Sequence, residues 1–181
     1  MNIAIIPARG GSKRIPRKNI KEFHGKPIIA YSIEAAKEAG CFDRIIVSTD
    51  DNEIAEVAKK YGAEVPFIRP EEISNDYATT SDVIVHALSW LSANGQKIAY
   101  ACCIYATAPF ISSKAISTGL DELIKGNFNY AFSVSTYPFP IQRALKISKE
   151  GSISMFMPEH MNTRSQDLEE AFHDAGQFYW G

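Results

Sequence analysis

Short apolar runs alternate with stretches of helical period along most of this 181-residue chain, and that alternation restricts the fold more than any other feature. Ile3-Ala4-Ile5-Ile6-Pro7 reads as a strand. Pro27 then opens a helix in which Ile28, Ile29, Ser32, Ile33, Ala36 and Ala39 recur at helical spacing until Gly40 stops it. Arg44–Ser48 is a second strand, Ser48-Thr49-Asp50-Asp51 supplies turn and cap residues, and Glu53–Tyr61 is a helix closed by Gly62. Val65-Pro66-Phe67-Ile68 reads as a third short strand, and a helix runs from about Thr80 to Asn94. Ile98–Ile104, apolar throughout, is a fourth strand, buried on both faces. A helix from Ser112/Ser113 to Lys125 and a strand at Tyr130–Val134 complete the series. Strand and helix in this rhythm predict an α/β domain with a mainly parallel sheet and helices on both faces.

The rhythm breaks after Ser135. Tyr137-Pro138-Phe139-Pro140 cannot continue it, and Leu145–Ile147 with Ile153–Phe156 around Glu150-Gly151 reads as a hairpin. The chain is therefore expected to be one domain over residues 1–181, with an excursion at about 136–168 whose exposed aromatics suit a lid or a subunit interface. Gln177-Phe178-Tyr179-Trp180-Gly181 reads as the start of a further strand.

Charge is concentrated at one place. Between Pro7 and Lys26 there are seven Lys/Arg and one Glu, a local +6 in a chain of net charge −2. Five of those cations lie in Arg9-Gly10-Gly11-Ser12-Lys13-Arg14-Ile15-Pro16-Arg17-Lys18, directly beyond the first strand. Adjacent glycines let bare N–H groups approach an anion, and clustered Arg/Lys with a hydroxyl suit a polyphosphate, so a nucleoside triphosphate is the expected ligand. A Walker loop is excluded because no G-K-[ST] triplet is present, and the dinucleotide G-x-G-x-x-G lacks its third glycine. An extended loop must wrap the phosphates, with Arg9 and Lys18 as point charges at either end.

The string A-R-G-G-S-K-R-I-P-R-K-N resembles the nucleotide-binding signature of the cytidylyltransferases that activate nine-carbon acidic sugars. This is the CMP-sialic acid synthetase family, and the likeness covers nearly the whole chain. The resemblance implies a Rossmann-like nucleotidyltransferase fold, CTP and a nonulosonic acid as substrates, Mg2+, and a homodimer made by the hairpin excursion. It implies Arg9, Gly10, Gly11, Ser12, Lys18 and Asn19 for the nucleotide, with Arg9 and Lys18 catalytic, and Arg69, Asn19 and Thr80 for the base. Arg69 and Thr80 stand in the polar stretch beyond Ile68, which on its own reads more simply as helix capping.

Departures from the family pattern fall on the sugar side. Sialic acid synthetases carry L-Q-P-T-S-P-L-R where this chain has Ile104-Tyr105-Ala106-Thr107-Ala108-Pro109-Phe110-Ile111. Thr107 and Pro109 are kept, but Tyr105 replaces Gln and Ile111 replaces Arg, which disfavours plain sialic acid and favours a less hydroxylated sugar. The strings S-Q-D-L-E-E and H-D-A-G-Q-F-Y-W point the resemblance to the pseudaminic acid branch, with Tyr105, Thr107, Arg164, Gln177 and Tyr179 as sugar contacts. Family members continue with a strand and helix whose aspartates hold magnesium, and this sequence does not contain them, so no residue is assigned to a metal. Asp50 and Asp51 are explained by a turn and an N-cap. His173 beside Asp174 reads as structural rather than as an acid–base pair, and no general base stands out.

Composition narrows the classes further. Weak negative charge argues against nucleic acid as the partner, and no apolar run approaches the ~18 residues of a membrane span. Cys41, Cys102 and Cys103 fit neither a zinc site nor a disulfide framework, which suits a reducing cytoplasm. The alternatives left open are a CMP-N-acetylneuraminate synthetase, a non-catalytic CTP or CMP-sugar binding module, and a dinucleotide-dependent oxidoreductase.

Overall fold

A computed structural model describes residues 1–181. Its elements in chain order are β1 (Asn2–Pro7), the two-residue strands β2 (Glu22–Phe23) and β3 (Lys26–Pro27), α1 (Ile28–Ala39), β4 (Arg44–Ser48), α2 (Asn52–Lys60), α3 (Thr80–Ala93), β5 (Tyr100–Ile104), α4 (Ser113–Lys125), β6 (Ala131–Thr136), β7 (Leu145–Ile147), β8 (Ile153–Met155) and β9 (Phe172–Trp180). The principal sheet has the order β4-β1-β5-β9-β6. β1 runs parallel to β4 and to β5, while β9 enters antiparallel beside β5.

β1 is apolar on both faces, and the burial explains why. Ala4 and Ile6 of β1 belong to one core with Ile29 and Ile33 of α1, Ile54 and Ala58 of α2, and Ile116, Leu120 and Leu123 of α4. Ile3 and Ile5, pointing the other way, join Ile46 and the Ala87 and Leu91 side chains of α3. Helices thus cover both faces, as the alternation predicts. Three of the helix starts are chemically marked. Asp51 caps α2 by accepting from Ile54 N–H at 3.0 Å, and Ser112 caps α4 by accepting from Ala115 N–H at 3.3 Å. Thr79 and Asp82 form a reciprocal capping box on α3.

Two sequence expectations are corrected. Val65–Ile68 does not form a strand: only single parallel bridges at Ile46 with Glu64 and at Thr49 with Ile68 are made. Pro66 lies between those bridges and has no N–H to donate, so the ladder cannot continue through it. The last strand begins at Phe172 rather than Gln177 and is nine residues long. A feature the periodicity does not announce is the ribbon of β2 and β3, where Phe23 pairs with Lys26 across His24 (φ 46°) and Gly25 (φ 85°). Two successive positive φ angles make the kind of two-residue turn that matches strand twist.

The chain divides into two compact units, one of Met1–Ser133 with Gly176–Gly181 and one of Val134–Ala175. The second holds the β7–β8 hairpin, in register from Leu145 with Met155 to Ile147 with Ile153, and Tyr137 N–H bonded to the Ala171 carbonyl at 3.0 Å.

Candidate active site

A cavity of about 790 Å3 opens in the first unit beyond the carboxyl ends of β1 and β5. Its wall combines the loop after β1, the segment from Arg69 to the first turn of α3, and Tyr105-Ala106-Thr107 after β5. Five lining side chains, Arg9, Lys13, Arg14, Lys18 and Arg69, are cationic, and only Asp76 is acidic. Ligands of open α/β sheets settle at this end of the strands. The charge suits this one to an anion.

The cationic loop is held by contacts that leave its ends in the cavity. Asn19, 6% exposed, donates its side-chain amide to the Arg9 carbonyl at 2.9 Å, closing the loop on itself. Arg17, in the left-handed region at φ 54°, forks onto Asp51 and also reaches Glu53. That clamp ties the loop to the turn between β4 and α2. The guanidinium holds the Asp51 carboxyl below its ordinary value of 3.8, at about 2, helped by the Ile54 N–H. Gly10 lies so close to this turn that a methyl group on it would sit 2.6 Å from Asp51 Oδ2 and 3.0 Å from its Cβ. Any side chain there would push the clamp apart. The motif gives Arg17 no separate role, because a carboxylate partner beyond the following helix and strand cannot be seen from spacing.

Arg69 is 4% exposed and donates Nε–H to Ser74 Oγ at 3.0 Å, with Asp50 Oδ1 3.7 Å from Nη2. Burial pushes its pKa down, Asp50 offsets part of that, and Arg9 adds to it. Thr80 lines the cavity as the first residue of α3, while its neighbour Thr79 is the residue spent on capping. Arg9, Ser12, Lys18, Asn19, Arg69, Thr80, Tyr105 and Thr107 therefore surround one space. Gly10 and Gly11 are not in its wall. The Gly10 N–H donates to Asp50 Oδ1 at 2.9 Å, and the Ser12 N–H to the Gly10 carbonyl at 2.9 Å.

On the sugar side, Tyr105 lines the cavity and its ring lies 5.3 Å from that of Tyr179, which stacks on Phe132 at 6.0 Å and 22°. Tyr105 N–H donates to the Gln177 carbonyl at 2.9 Å, placing Gln177 beside the end of β5. Phe132 extends this aromatic row and is not foreseen by the motif comparison. Arg164 belongs to the second unit, where it pairs with Asp167 at 2.7 Å. His173 meets the Asp174 carbonyl through Nδ1 at 2.9 Å and packs edge-on against Tyr137, an environment that fits a structural role.

The magnesium implied by the family resemblance can be tested against these side chains. No three His, Cys, Asp or Glu residues gather where a metal could be held. Asp50 is engaged by Gly10 N–H, Asp51 by Arg17 and the α2 amide, and Asp76 by Arg9 and Lys13. These residues do not compose a magnesium cage.

Comparison with known proteins agrees with the geometry. A curated relative from Campylobacter jejuni serotype O:23/36 (strain 81-176), a pseudaminic acid cytidylyltransferase, is 47% identical over 180 residues, covering 99% of this chain and 78% of its own. N-acylneuraminate cytidylyltransferase A of Danio rerio is 35% identical over 182 residues, covering 98% of this chain and 40% of its own. Among solved structures, a CMP:2-keto-3-deoxy-manno-octonic acid synthetase superposes with a TM-score of 0.73 at 18% identity, over 99% of this chain and 73% of that one, a likeness of fold. The Cytidylyltransferase family matches residues 3–177, nearly the full length, and the chain belongs to that family.

Proposed function

We propose that the protein transfers CMP from CTP to the anomeric hydroxyl of a nonulosonic acid, pseudaminic acid in the first instance, with release of pyrophosphate. The observation that carries this reading is the charge of the cavity wall, five cations against one carboxylate, gathered where the sequence places the nucleotide loop. The anomeric oxygen bonds to the α-phosphorus, the bond from that phosphorus to the pyrophosphate oxygen breaks with its electron pair going to the pyrophosphate, and the hydroxyl proton passes to solvent. Such a transfer asks the protein for positioning and charge neutralisation rather than covalent chemistry. Arg9 and Lys18 neutralise the developing charge on the leaving pyrophosphate, Arg69 and Thr80 address the base, and Asn19 holds the loop that carries Arg9. Mg2+ would accompany the phosphates of the nucleotide, to which this ion commonly binds.

Tyr105, Thr107, Gln177 and Tyr179 are proposed for the sugar. An aromatic row suits the apolar methyl and acetamido groups of a deoxygenated sugar better than a polyhydroxylated tail. The name of the Campylobacter relative supports the same choice. We further propose a homodimer formed by the second unit, whose hairpin leaves Leu145, Ile147 and Ile153 more than half exposed. A cytoplasmic site of action is supported by three free cysteines.

Pyrophosphate release from CTP tests the reading, with pseudaminic and N-acetylneuraminic acid compared as acceptors. Turnover with pseudaminic acid well above that with N-acetylneuraminic acid is expected. The reverse order would assign the protein to sialic acid, and CTP binding without pyrophosphate release from either would make it a binding module.

A further inference from the structure

The cavity built for a polyphosphate already contains an anion of the protein's own. Asp76 Oδ1 lies 2.8 Å from Arg9 Nη2, its Oδ2 is paired with Lys13 Nζ, and Arg9 Nη1 donates to the neighbouring Asn75 carbonyl at 2.8 Å. Two cations of the nucleotide loop are thus tied to the segment leading into α3. We infer that Asp76 is an internal placeholder for phosphate, so that a nucleoside triphosphate binds by exchanging with this carboxylate on Arg9 and Lys13. The inference rests on the proposed CTP site and adds to it a residue that sets how tightly the nucleotide is held.

The placement of Asp76 does not depend on its ion pairs. Asn75 Oδ1 accepts from Tyr77 N–H at 2.8 Å and Ala78 N–H at 3.0 Å, Asn75 Nδ2 donates to the Glu72 carbonyl at 2.8 Å, and Ser74 Oγ–H donates to the Pro70 carbonyl at 2.7 Å. The segment is preformed by its own side chains and presents the carboxylate to the cations. Lys13, with its side chain 81% exposed, is free to swing to another anion. A triphosphate reaching the same cations would crowd its negative charge against Asp76, and both cannot keep them. Ser74, two residues before Asp76, is the acceptor for buried Arg69.

Calorimetric titration of CTP, inorganic tripolyphosphate and cytidine into the wild-type chain and the Asp76→Asn variant tests this. Asparagine keeps the shape and removes the competing charge. CTP and tripolyphosphate are expected to bind the variant about three- to ten-fold more tightly, the range that two partly exposed ion pairs can supply, while cytidine affinity stays the same. Equal or weaker CTP binding by the variant would overturn the placeholder and leave the CTP site standing. A change in cytidine affinity as large as that for CTP would also overturn it, as a general disturbance of the loop. Absence of CTP binding by both proteins would remove the placeholder together with the proposed function.

Discussion

Arg17 and Lys18 are adjacent cations in one loop, and the structure gives them different work. Lys18 stands in the cavity wall, whereas Arg17 grips Asp51 on the turn after β4 and Glu53 in the first turn of α2. Lys18→Ala should lower kcat/KM by two decades or more, as expected when a donor worth ~3 kcal/mol of barrier is lost. Pyrophosphate-release kinetics at matched folded concentration would check it. The Arg17 clamp should instead appear as a pH dependence of stability. Asp51 has a folded pKa of about 2 against an ordinary 3.8, so its stabilisation is full above about pH 4 and is lost as pH falls through 2. Denaturant midpoints measured from pH 2 to pH 6 should show Asp51→Asn, which keeps the helix cap, less stable than wild type at pH 6 and converging with it near pH 2. A constant gap would mean that the clamp contributes no charge term. The motif makes both cations visible in the sequence. Their division of labour is not visible there, because it is decided by a carboxylate 34 residues away.

Elements with a strong period or a marked end are legible in the amino-acid sequence. α1 begins after Pro27 and ends at Ala39, α4 starts at Ser113 behind its Ser112 cap, and the break after Ser135 coincides with the start of the second unit at Val134. Val65–Ile68 invites a strand assignment through its β-branched and aromatic residues, yet Pro66 decides the matter, since a proline cannot pass on the ladder. The first half of β9 is hard to see because His173, Asp174 and Gly176 dilute its apolar signal, and, since β5 pairs only with Phe178–Trp180, its strand state depends on the other neighbour, β6, rather than on its own composition. The packing between α4 and β9 carries a sharp expectation. A methyl at Gly119 would sit 2.9 Å from Phe178 Cε2 and 3.2 Å from Trp180 Cδ1, both rings being buried. Gly119→Ala should therefore destabilise by ~1–3 kcal/mol despite the helix propensity it adds. Trp180→Ala should cost ~3–5 kcal/mol, since Trp180 is fully buried, stacks on Phe42 at 4.9 Å and donates Nε1–H to the Ile116 carbonyl at 2.9 Å. Urea unfolding of the two variants would decide both.

At the level of the whole molecule, charge and apolar surface are unevenly distributed. The stretch from Pro7 to Lys26 carries +6 while the remaining residues sum to −8, so attraction of a triphosphate is local and open to screening. Raising sodium chloride from low to half-molar concentration should weaken CTP binding several-fold in calorimetry and leave cytidine binding unchanged. Exposed Ile147 and Ile153 on the hairpin are the place to disturb the proposed self-association, and Ile147→Lys should shift sedimentation towards the monomer while leaving the far-UV dichroism spectrum unchanged.

The order of the sheet has a consequence in time. β9 lies between β5 and β6 yet is made after both, so β5 has only β1 beside it and β6 has no strand partner until residues 172–180 have left the ribosome. Pairing β9 with these strands is a long-range closure, which makes for slow folding. Trp180, which seats under α4 only at that moment, is a built-in reporter of completion, while Trp90 on α3 registers earlier events. In refolding followed by stopped-flow fluorescence, Trp90→Phe protein should display mainly the late phase, and Trp180→Phe protein mainly the early one.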